Sequence, residues 1–349
     1  MTRQMKIIEV NKMEQQIRTF CETLGIDTMG FMPCRRLDEL VPFYRKREER
    51  NLQNEFEAKD IEMRVNPLHY MPEGKTIISI AFPYHHQEQE VLNGFSTYTK
   101  RPDYHRVVKS YLDQIKAFIE TLGGKAVTFV DSNTLPERYI AYLAGVGFIG
   151  KNNMLITEKY GSYVFLGEII TDLEVNGKNQ RTQAEMLAHK ECGSCERCLK
   201  ECPTKSINSF QCNPNICLSY LTQKKQLNEK EIKLLKGNIF GCDYCQLQCP
   251  YNLNAVSSPL EAFKILDFME EQAEVYAGMD NAFFKEKLSG TSCGWRGKNV
   301  IKRNALIRLN YEGKEVNSFK GDSPYINAYI EKISEINRPN EGKNFVQDE

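Results

Sequence analysis

The stretch Cys192-Gly-Ser-Cys195-Glu-Arg-Cys198-Leu-Lys-Glu-Cys202-Pro203, answered by Cys242-Asp-Tyr-Cys245-Gln-Leu-Gln-Cys249-Pro250, decides how this chain is built. Nine of the twelve cysteines fall between Cys192 and Cys249. In the pattern C-x2-C-x2-C-x3-C-P, three closely spaced thiolates hold one iron-sulfur cubane and the fourth cysteine reaches across to a second. Two 4Fe-4S clusters need about eight thiolates, and the two runs supply seven, so the eighth is Cys212 or Cys217. The first cluster is assigned to Cys192, Cys195, Cys198 and Cys249. The second takes Cys202, Cys242, Cys245 and one of Cys212 or Cys217. Cys217 is favoured, because Ile216-Cys217-Leu218-Ser219-Tyr220-Leu221 reads as a helix start, whereas Cys212 lies in the turn-rich Gln-Cys-Asn-Pro-Asn. Zinc is the competing reading of paired C-x2-C motifs. Three cysteines as C-x2-C-x2-C and the Cys-Pro endings favour clusters. The opening Met-Thr-Arg-Gln-Met-Lys carries no signal-peptide pattern, and no apolar run has membrane-spanning length, so a reducing cytoplasm is expected and disulfides are not.

Outside that stretch the chain has three textures. With 349 residues and 41% hydrophobic content it can bury a substantial core, and 46 basic against 46 acidic residues leave no global field to attract a polyanion. From 1 to 180, apolar strands (Thr28 to Met32, Thr76 to Phe82, Ala126 to Val130) alternate with helical patterns near 11 to 24 and 104 to 122, which reads as an α/β domain. Residues 181 to 255 form the cysteine-rich insert, too short and polar to hold a core without its clusters. Helical patterns follow near 258 to 274, 279 to 288, 296 to 310 and 323 to 335, making 256 to 336 a short helical region. Residues 337 to 349 read as a disordered tail. The expected class is α+β in three parts.

Within the first part the densest signal is Val130-Asp131-Ser-Asn-Thr134-Leu-Pro136-Glu137-Arg138, followed by Ala144-Gly145-Val-Gly147-Phe-Ile-Gly150-Lys151-Asn152-Asn153. A strand ends on a carboxylate and turns into a helix. Thr134 and Glu137 have capping-box spacing and Pro136 suits a first turn, which leaves Asp131 free for chemistry in a cleft. An Asx-turn is the plainer role. Gly145, Gly147 and Gly150 spell the dinucleotide fingerprint G-x-G-x-x-G, but that motif follows a strand and opens a helix. Here a helical pattern precedes and β-rich Met154 to Thr157 and Tyr163 to Ile170 follow, so the glycines are read as a helix C-terminus in left-handed conformation, able to approach a bulky ligand.

Taken with Pro72-Glu-Gly74-Lys-Thr-Ile-Ile-Ser, Asp103-Tyr104-His105, Cys217-x-Ser219-Tyr220-Leu-Thr222, Gly241-Cys242-Asp243 and Trp295-Arg296-Gly297 with Arg303-Asn304-Ala305, these motifs resemble the cobalamin-dependent epoxyqueuosine reductases. The resemblance spans roughly residues 60 to 310 in order. It implies an N-terminal domain like that of the reductive dehalogenases, holding base-off cobalamin, a ferredoxin-like domain with both clusters, and a HEAT-like helical end. The implied reaction converts epoxyqueuosine at the tRNA wobble position to queuosine, with two electrons and two protons, fed by an external low-potential electron donor. Asp131 matches the family aspartate proposed as proton donor to the leaving oxygen, which leaves poorly unless protonated. Tyr104, His105, Gly145, Gly147, Gly150, Lys151 and Asn152 are the expected cofactor contacts. Where the family commonly has Arg-Tyr-Ala-x-Gly-x before Asp-Tyr-His, this chain has Ser96-Thr-Tyr98-Thr-Lys-Arg-Pro, and Lys205 replaces a common glycine after Cys202.

Read by itself, His105 in a helical pattern is more often a satisfied polar residue than a ligand. Among basic clusters, Arg35, Arg36, Arg45, Lys46, Arg47 and Arg50 alternate with acids and read as a solvated face. Arg296, Lys298, Lys302 and Arg303, behind Trp295, are the better RNA-binding set, with cations for phosphates and an aromatic for a splayed base. Two other readings compete: a ferredoxin-like carrier or activator for a corrinoid protein, and a dehalogenase-like enzyme on a small molecule. The α/β domain argues against a mere carrier, and the Trp295 to Asn304 motif argues against a small-molecule enzyme.

Overall fold

The computed structural model describes residues 3–87, 91–175, 181–208 and 211–336; the tail expected at 337 to 349 lies outside them. The chain divides into two compact units. The larger holds most of residues 1–89, 101–217 and 243–266, and the smaller is built from 91–100, 218–242 and 267–336.

Six strands matter in the larger unit: β1 Met29–Pro33, β2 Thr76–Pro83, β3 Ala126–Phe129, β4 Phe148–Ile149, β5 Leu155–Ile156 and β6 Val164–Thr171. Four form a sheet in the order β1-β2-β6-β3. Every pairing in it is antiparallel, with Ile77 opposite Ile170 and Ser79 opposite Glu168. Strand-helix alternation leaves strand direction open, and here β6 inserts antiparallel between β2 and β3, which the helix Tyr104–Thr121 joins. β2 is buried along its whole length, as a central strand covered on both faces must be.

Period-2 alternation sorts the two faces. Ile77, Ala81 and Ile170 join the core under the helix Glu137–Ala144, together with Ile140, Ala141 and Leu143. That helix comes so close to β1 that a Cβ on Gly30 would stand 2.0 Å from the Ala144 carbonyl oxygen. On the opposite face Gly167 lies under Val108 and Leu112 of the helix Tyr104–Thr121, where a Cβ would stand 2.9 Å from the Val108 side chain.

The expected helix over 258 to 274 is absent; Glu261–Phe263 and Asp267–Met269 are single 3-10 turns, and a helix begins only at Ala273. Ser258 stops it, donating its hydroxyl to the Pro83 carbonyl at 2.7 Å and accepting the Leu260 N–H at 3.0 Å. In the smaller unit the helices Lys298–Tyr311 and Pro324–Ile336 pack together, matching the last two helical patterns. Among the described residues no helix is long and apolar enough to cross a membrane.

Candidate active site

Four side chains, Asp103, Tyr104, His105 and Asp131, converge in the larger unit. Asp103 caps the helix Tyr104–Thr121 by accepting the His105 N–H at 3.1 Å, and its Oδ1 also takes the His105 Nδ1 proton at 2.8 Å. The other ring nitrogen faces Asp131 Oδ2 at 3.3 Å, and the Tyr104 hydroxyl donates to the same oxygen. Tyr104 is pinned by stacking on Phe165 of β6, with centroids 4.3 Å apart and planes 8° from parallel.

Asp131 leaves β3 with φ of 48°, a left-handed conformation that Asp tolerates better than most residues. This turn aims its carboxylate at the helix start, with the side chain 57% exposed. Burial opposes the charge on Asp131, but hydrogen bonds from His105 and Tyr104 outweigh it and hold the carboxyl below the usual range. Hydrogen bonds to Asp103 and then Asp131 push His105 up to about 9. At neutral pH the pair is therefore imidazolium and carboxylate, with one mobile proton between them. His105, read by itself as a satisfied polar residue, sits at the centre of the cluster.

The capping-box expectation fails. The helix has Pro136 at its N-cap with no side-chain cap; Thr134 instead donates to the Met63 carbonyl at 2.7 Å and receives the Tyr70 hydroxyl. Glu137 accepts from Asn133 Nδ2 at 2.7 Å. Beneath it lies Glu168 of β6, fully buried and bonded at 3.2 Å by the Ser79 hydroxyl of the neighbouring strand. Sequence reasoning passed over Glu168. Its signal was present: one acid inside Val-Phe-Leu-Gly-Glu-Ile-Ile, an otherwise apolar central strand.

The glycine run needs a second correction. Gly145 is the left-handed cap of its helix at φ of 85°, as expected. Gly147 and Gly150 are not left-handed; a Cβ on either would meet Ile156, 2.4 Å from its carbonyl oxygen and 2.5 Å from its side chain respectively. Their space is filled by β5 rather than left for a ligand. Lys151 and Asn152 sit at the tip of the β4–β5 hairpin, where Lys151 Nζ donates to the carbonyls of Gly193 at 2.7 Å and Cys195 at 3.0 Å, and Asn152 Nδ2 to that of Cys245 at 3.3 Å. Both clamp the cysteine loops.

Those loops bring thiols together. The helix Arg197–Glu201 packs against the helix Tyr244–Leu247. Burial, then the thiols of Cys192, Cys195 and Cys249, pushes Cys198 up to about 11, so the other three members of the first expected set lie within electrostatic reach of Cys198. Cys212 is not in a turn but in a two-residue strand opposite Ile207, and burial and the nearby Cys217 and Cys202 raise its thiol against Arg138 and Arg47. Cys217 immediately precedes the helix Leu218–Gln223, as its sequence suggests.

In the smaller unit the expected RNA set separates. Arg303 is fully buried, donating to Asn304 Oδ1, to the carbonyls of Lys224 at 2.8 Å and Lys225 at 2.9 Å, and to the Tyr325 hydroxyl. It cannot meet a phosphate there; a guanidinium's fixed fork instead bridges three segments. Arg296 lies over the ring of Trp295 at 4.7 Å and donates to the Gln223 carbonyl. Trp295 itself is 58% exposed. Lys298 donates to Asn281 Oδ1 at 2.6 Å, and burial and the Lys298 charge lower the affinity of Lys302 for its proton. The two lysines line one open cavity of about 520 Å³ with Asp280, Asp322 and Ser323.

Two family models match the chain: a 4Fe-4S double cluster binding domain over residues 191–252, and the epoxyqueuosine reductase QueG domain over 64–132. Epoxyqueuosine reductase of Bacillus subtilis (strain 168) is 32% identical over 323 residues, covering 86% of this chain and 80% of its own. The Listeria monocytogenes enzyme is 34% identical over 316 residues, covering 85% and 80%. A crystal structure of epoxyqueuosine reductase with an epoxyqueuosine-modified tRNA-Tyr stem loop superposes with a TM-score of 0.83 at 29% identity, over 94% of this chain and 91% of that one. The Streptococcus thermophilus enzyme gives 0.82 at 31% identity over the same shares. Similarity of this extent, running through the acid-histidine cluster and both cysteine runs, makes the chain a member of the epoxyqueuosine reductase family.

Proposed function

We propose that this chain reduces the epoxide of epoxyqueuosine in a tRNA anticodon to the alkene of queuosine, with Asp131 as the group that protonates the leaving oxygen. The observation that carries the reading is the Asp103–His105–Asp131 line, which keeps a proton on His105 within reach of an exposed carboxylate that can pass it on. Epoxide to alkene consumes two electrons and two protons and releases water; a carbon-oxygen bond breaks twice, and each time the oxygen leaves far more readily as a protonated group. Tyr104 stabilises the Asp131 carboxylate between proton transfers and holds its orientation.

The double-cluster domain binds two 4Fe-4S clusters, which pass single electrons inward. Cys192, Cys195, Cys198 and Cys249 are the proposed ligands of the first; the assignment of Cys202, Cys217, Cys242 and Cys245 to the second stands on sequence spacing. Cobalamin is the proposed second cofactor. The residues present fit it: the Phe165, Tyr104 and His105 rings stack one on another beside the Asp131 carboxylate, apolar area with a polar rim. When bound there, it would supply the low-potential electrons for epoxide reduction. An external low-potential reductant and the tRNA complete the proposed partners, with Trp295, Arg296, Lys298 and Lys302 as the remaining RNA-facing set. A reducing cytoplasm suits the clusters.

Metal analysis of anaerobically reconstituted protein tests the ligand set. The wild type retains about eight irons and, after incubation with cobalamin and desalting, about one cobalt. Cys217→Ala loses about half the iron and Cys212→Ala none; the reverse order would transfer the eighth ligand to Cys212.

A further inference from the structure

Arg47 belongs to the basic run that reads as a solvated face, and the structure buries it. Its side chain is 13% exposed and that of Arg64 17%. Both guanidiniums close on one carboxylate, Glu57, with Arg47 Nη2 at 2.8 Å from Oε1 and Arg64 Nη1 at 3.2 Å from Oε2. Arg64 also lies over the Tyr44 ring at 4.1 Å. Two cations on one anion leave a positive surplus. Donors are in surplus as well: Arg47 Nε, Arg64 Nε and Gln53 Nε2 are buried and meet no acceptor among the described residues. Burying more positive than negative charge is costly unless a further anion lies close by.

The nest is tied to a cysteine loop of the same unit. Arg47 Nη1 donates to the Cys212 carbonyl at 3.4 Å, and Asn215 Nδ2 donates back to the Asn51 carbonyl at 2.9 Å, just past the helix Val41–Glu49 that carries Arg47. The segment held in this way joins two proposed ligands of the second cluster. On one side Cys212 pairs with Ile207, and the Asn213 N–H donates to the Ser206 carbonyl at 2.9 Å, in the stretch just after Cys202. On the other, the Cys217 N–H donates to the Pro214 carbonyl at 3.2 Å. The Cys212 thiol registers the same surroundings: burial raises it, Arg138 and Arg47 oppose that rise, and Cys217 and Cys202 add to it. Beside Cys192, in the first set, the cation is a different one, Lys151.

We propose that the Arg47–Glu57–Arg64 nest is a built-in counter-charge for the second 4Fe-4S cluster and sets its reduction potential. A 4Fe-4S core on four thiolates is an anion, and taking up one electron adds a further negative charge, so a fixed cation in a poorly solvated wall favours the reduced form. The electron comes from the first cluster or the external reductant, and no bond is made or broken. Glu57 acts with the opposite sign, since it neutralises part of the charge on the two arginines. Burial shields the effect from screening by salt. The role rests on the double-cluster reading but not on the identity of the eighth ligand, because the held segment runs from Cys212 to Cys217.

An EPR-monitored redox titration of the reconstituted full chain decides it. The wild type gives a midpoint for each cluster, and the one missing from the cysteine variant that loses half the iron belongs to the second. In Arg47→Met the reduced-to-oxidised ratio of that cluster at a fixed potential should fall about tenfold, a drop of ~59 mV for one electron, while the first midpoint stays. Glu57→Gln should raise the same ratio by a similar factor, and Arg47→Lys, which keeps the charge, should stay near the wild type. Loosened packing has no reason to act with opposite signs in the two charge-changing variants. A second midpoint that does not move, that moves the same way in Arg47→Met and Glu57→Gln, or that falls as far in Arg47→Lys as in Arg47→Met overturns the counter-charge. If Arg47→Met does not retain its iron, Glu57→Gln decides alone: a rise supports the role, and a fall or no change overturns it. A wild type that holds fewer than about eight irons refutes the double-cluster reading instead, which keeps the two failures apart.

Discussion

Replacing Asp131 by asparagine lowers the single-turnover rate of epoxide reduction by about 10²- to 10⁴-fold, with iron content unchanged. Asparagine keeps the size and can still accept from Tyr104, so the left-handed loop is retained, but it carries no exchangeable acid proton. The wild-type profile adds a signature. His105 is raised by Asp103 and Asp131 to about 9 and Asp131 is lowered. The charged pair therefore contributes stability and a deliverable proton in full below the ordinary imidazole pKa of about 6.5, and both fade as pH rises through about 9. The rate should fall along that alkaline limb. In Asp131→Asn the limb moves to lower pH, since one of the two carboxylates that hold the imidazolium is gone.

Arg303→Met destabilises the smaller unit by about 3–5 kcal/mol, read by denaturant titration. The side chain is fully buried, and its loss strands Asn304 Oδ1 and the carbonyls of Lys224 and Lys225 without donors. Asn304 ties Thr222 and Ile239 through its own amide at 2.7 Å each, so the damage spreads to both segments. Lys298→Ala behaves oppositely. Its exposed amine makes one hydrogen bond, to Asn281, so stability changes by less than about 0.5 kcal/mol, while tRNA affinity weakens and the salt slope drops by about one. A stable Arg303→Met protein with selectively weakened tRNA binding would return Arg303 to the RNA surface.

Arg303 also shows where reading a sequence stops. A basic residue near other basic residues on a helix looks the same whether it faces water or fills a polar pit, because the three carbonyl and hydroxyl acceptors that bury it come from segments about 80 and 20 residues away. The cysteine runs were legible for the opposite reason: cluster geometry writes its spacing into consecutive residues, and Cys192, Cys195 and Cys249 lie within electrostatic reach of Cys198. Asp131 was legible as a strand-end acid, yet its partner Asp103 was seen only as part of a motif, since the contact through His105 joins the start of a helix to the end of a distant strand. Gly147 and Gly150 misled because a glycine reports a close approach without naming what approaches; here it is β5. Strand order and direction in the sheet needed the fold itself.

The most direct test of the account is one turnover by the reconstituted chain, loaded with both clusters and cobalamin and reduced chemically, on a tRNA stem loop bearing epoxyqueuosine, with the nucleosides resolved by mass. The account predicts loss of one oxygen to give queuosine in the wild type and almost none in Asp131→Asn. Fully loaded wild-type protein that leaves the epoxide intact would contradict it.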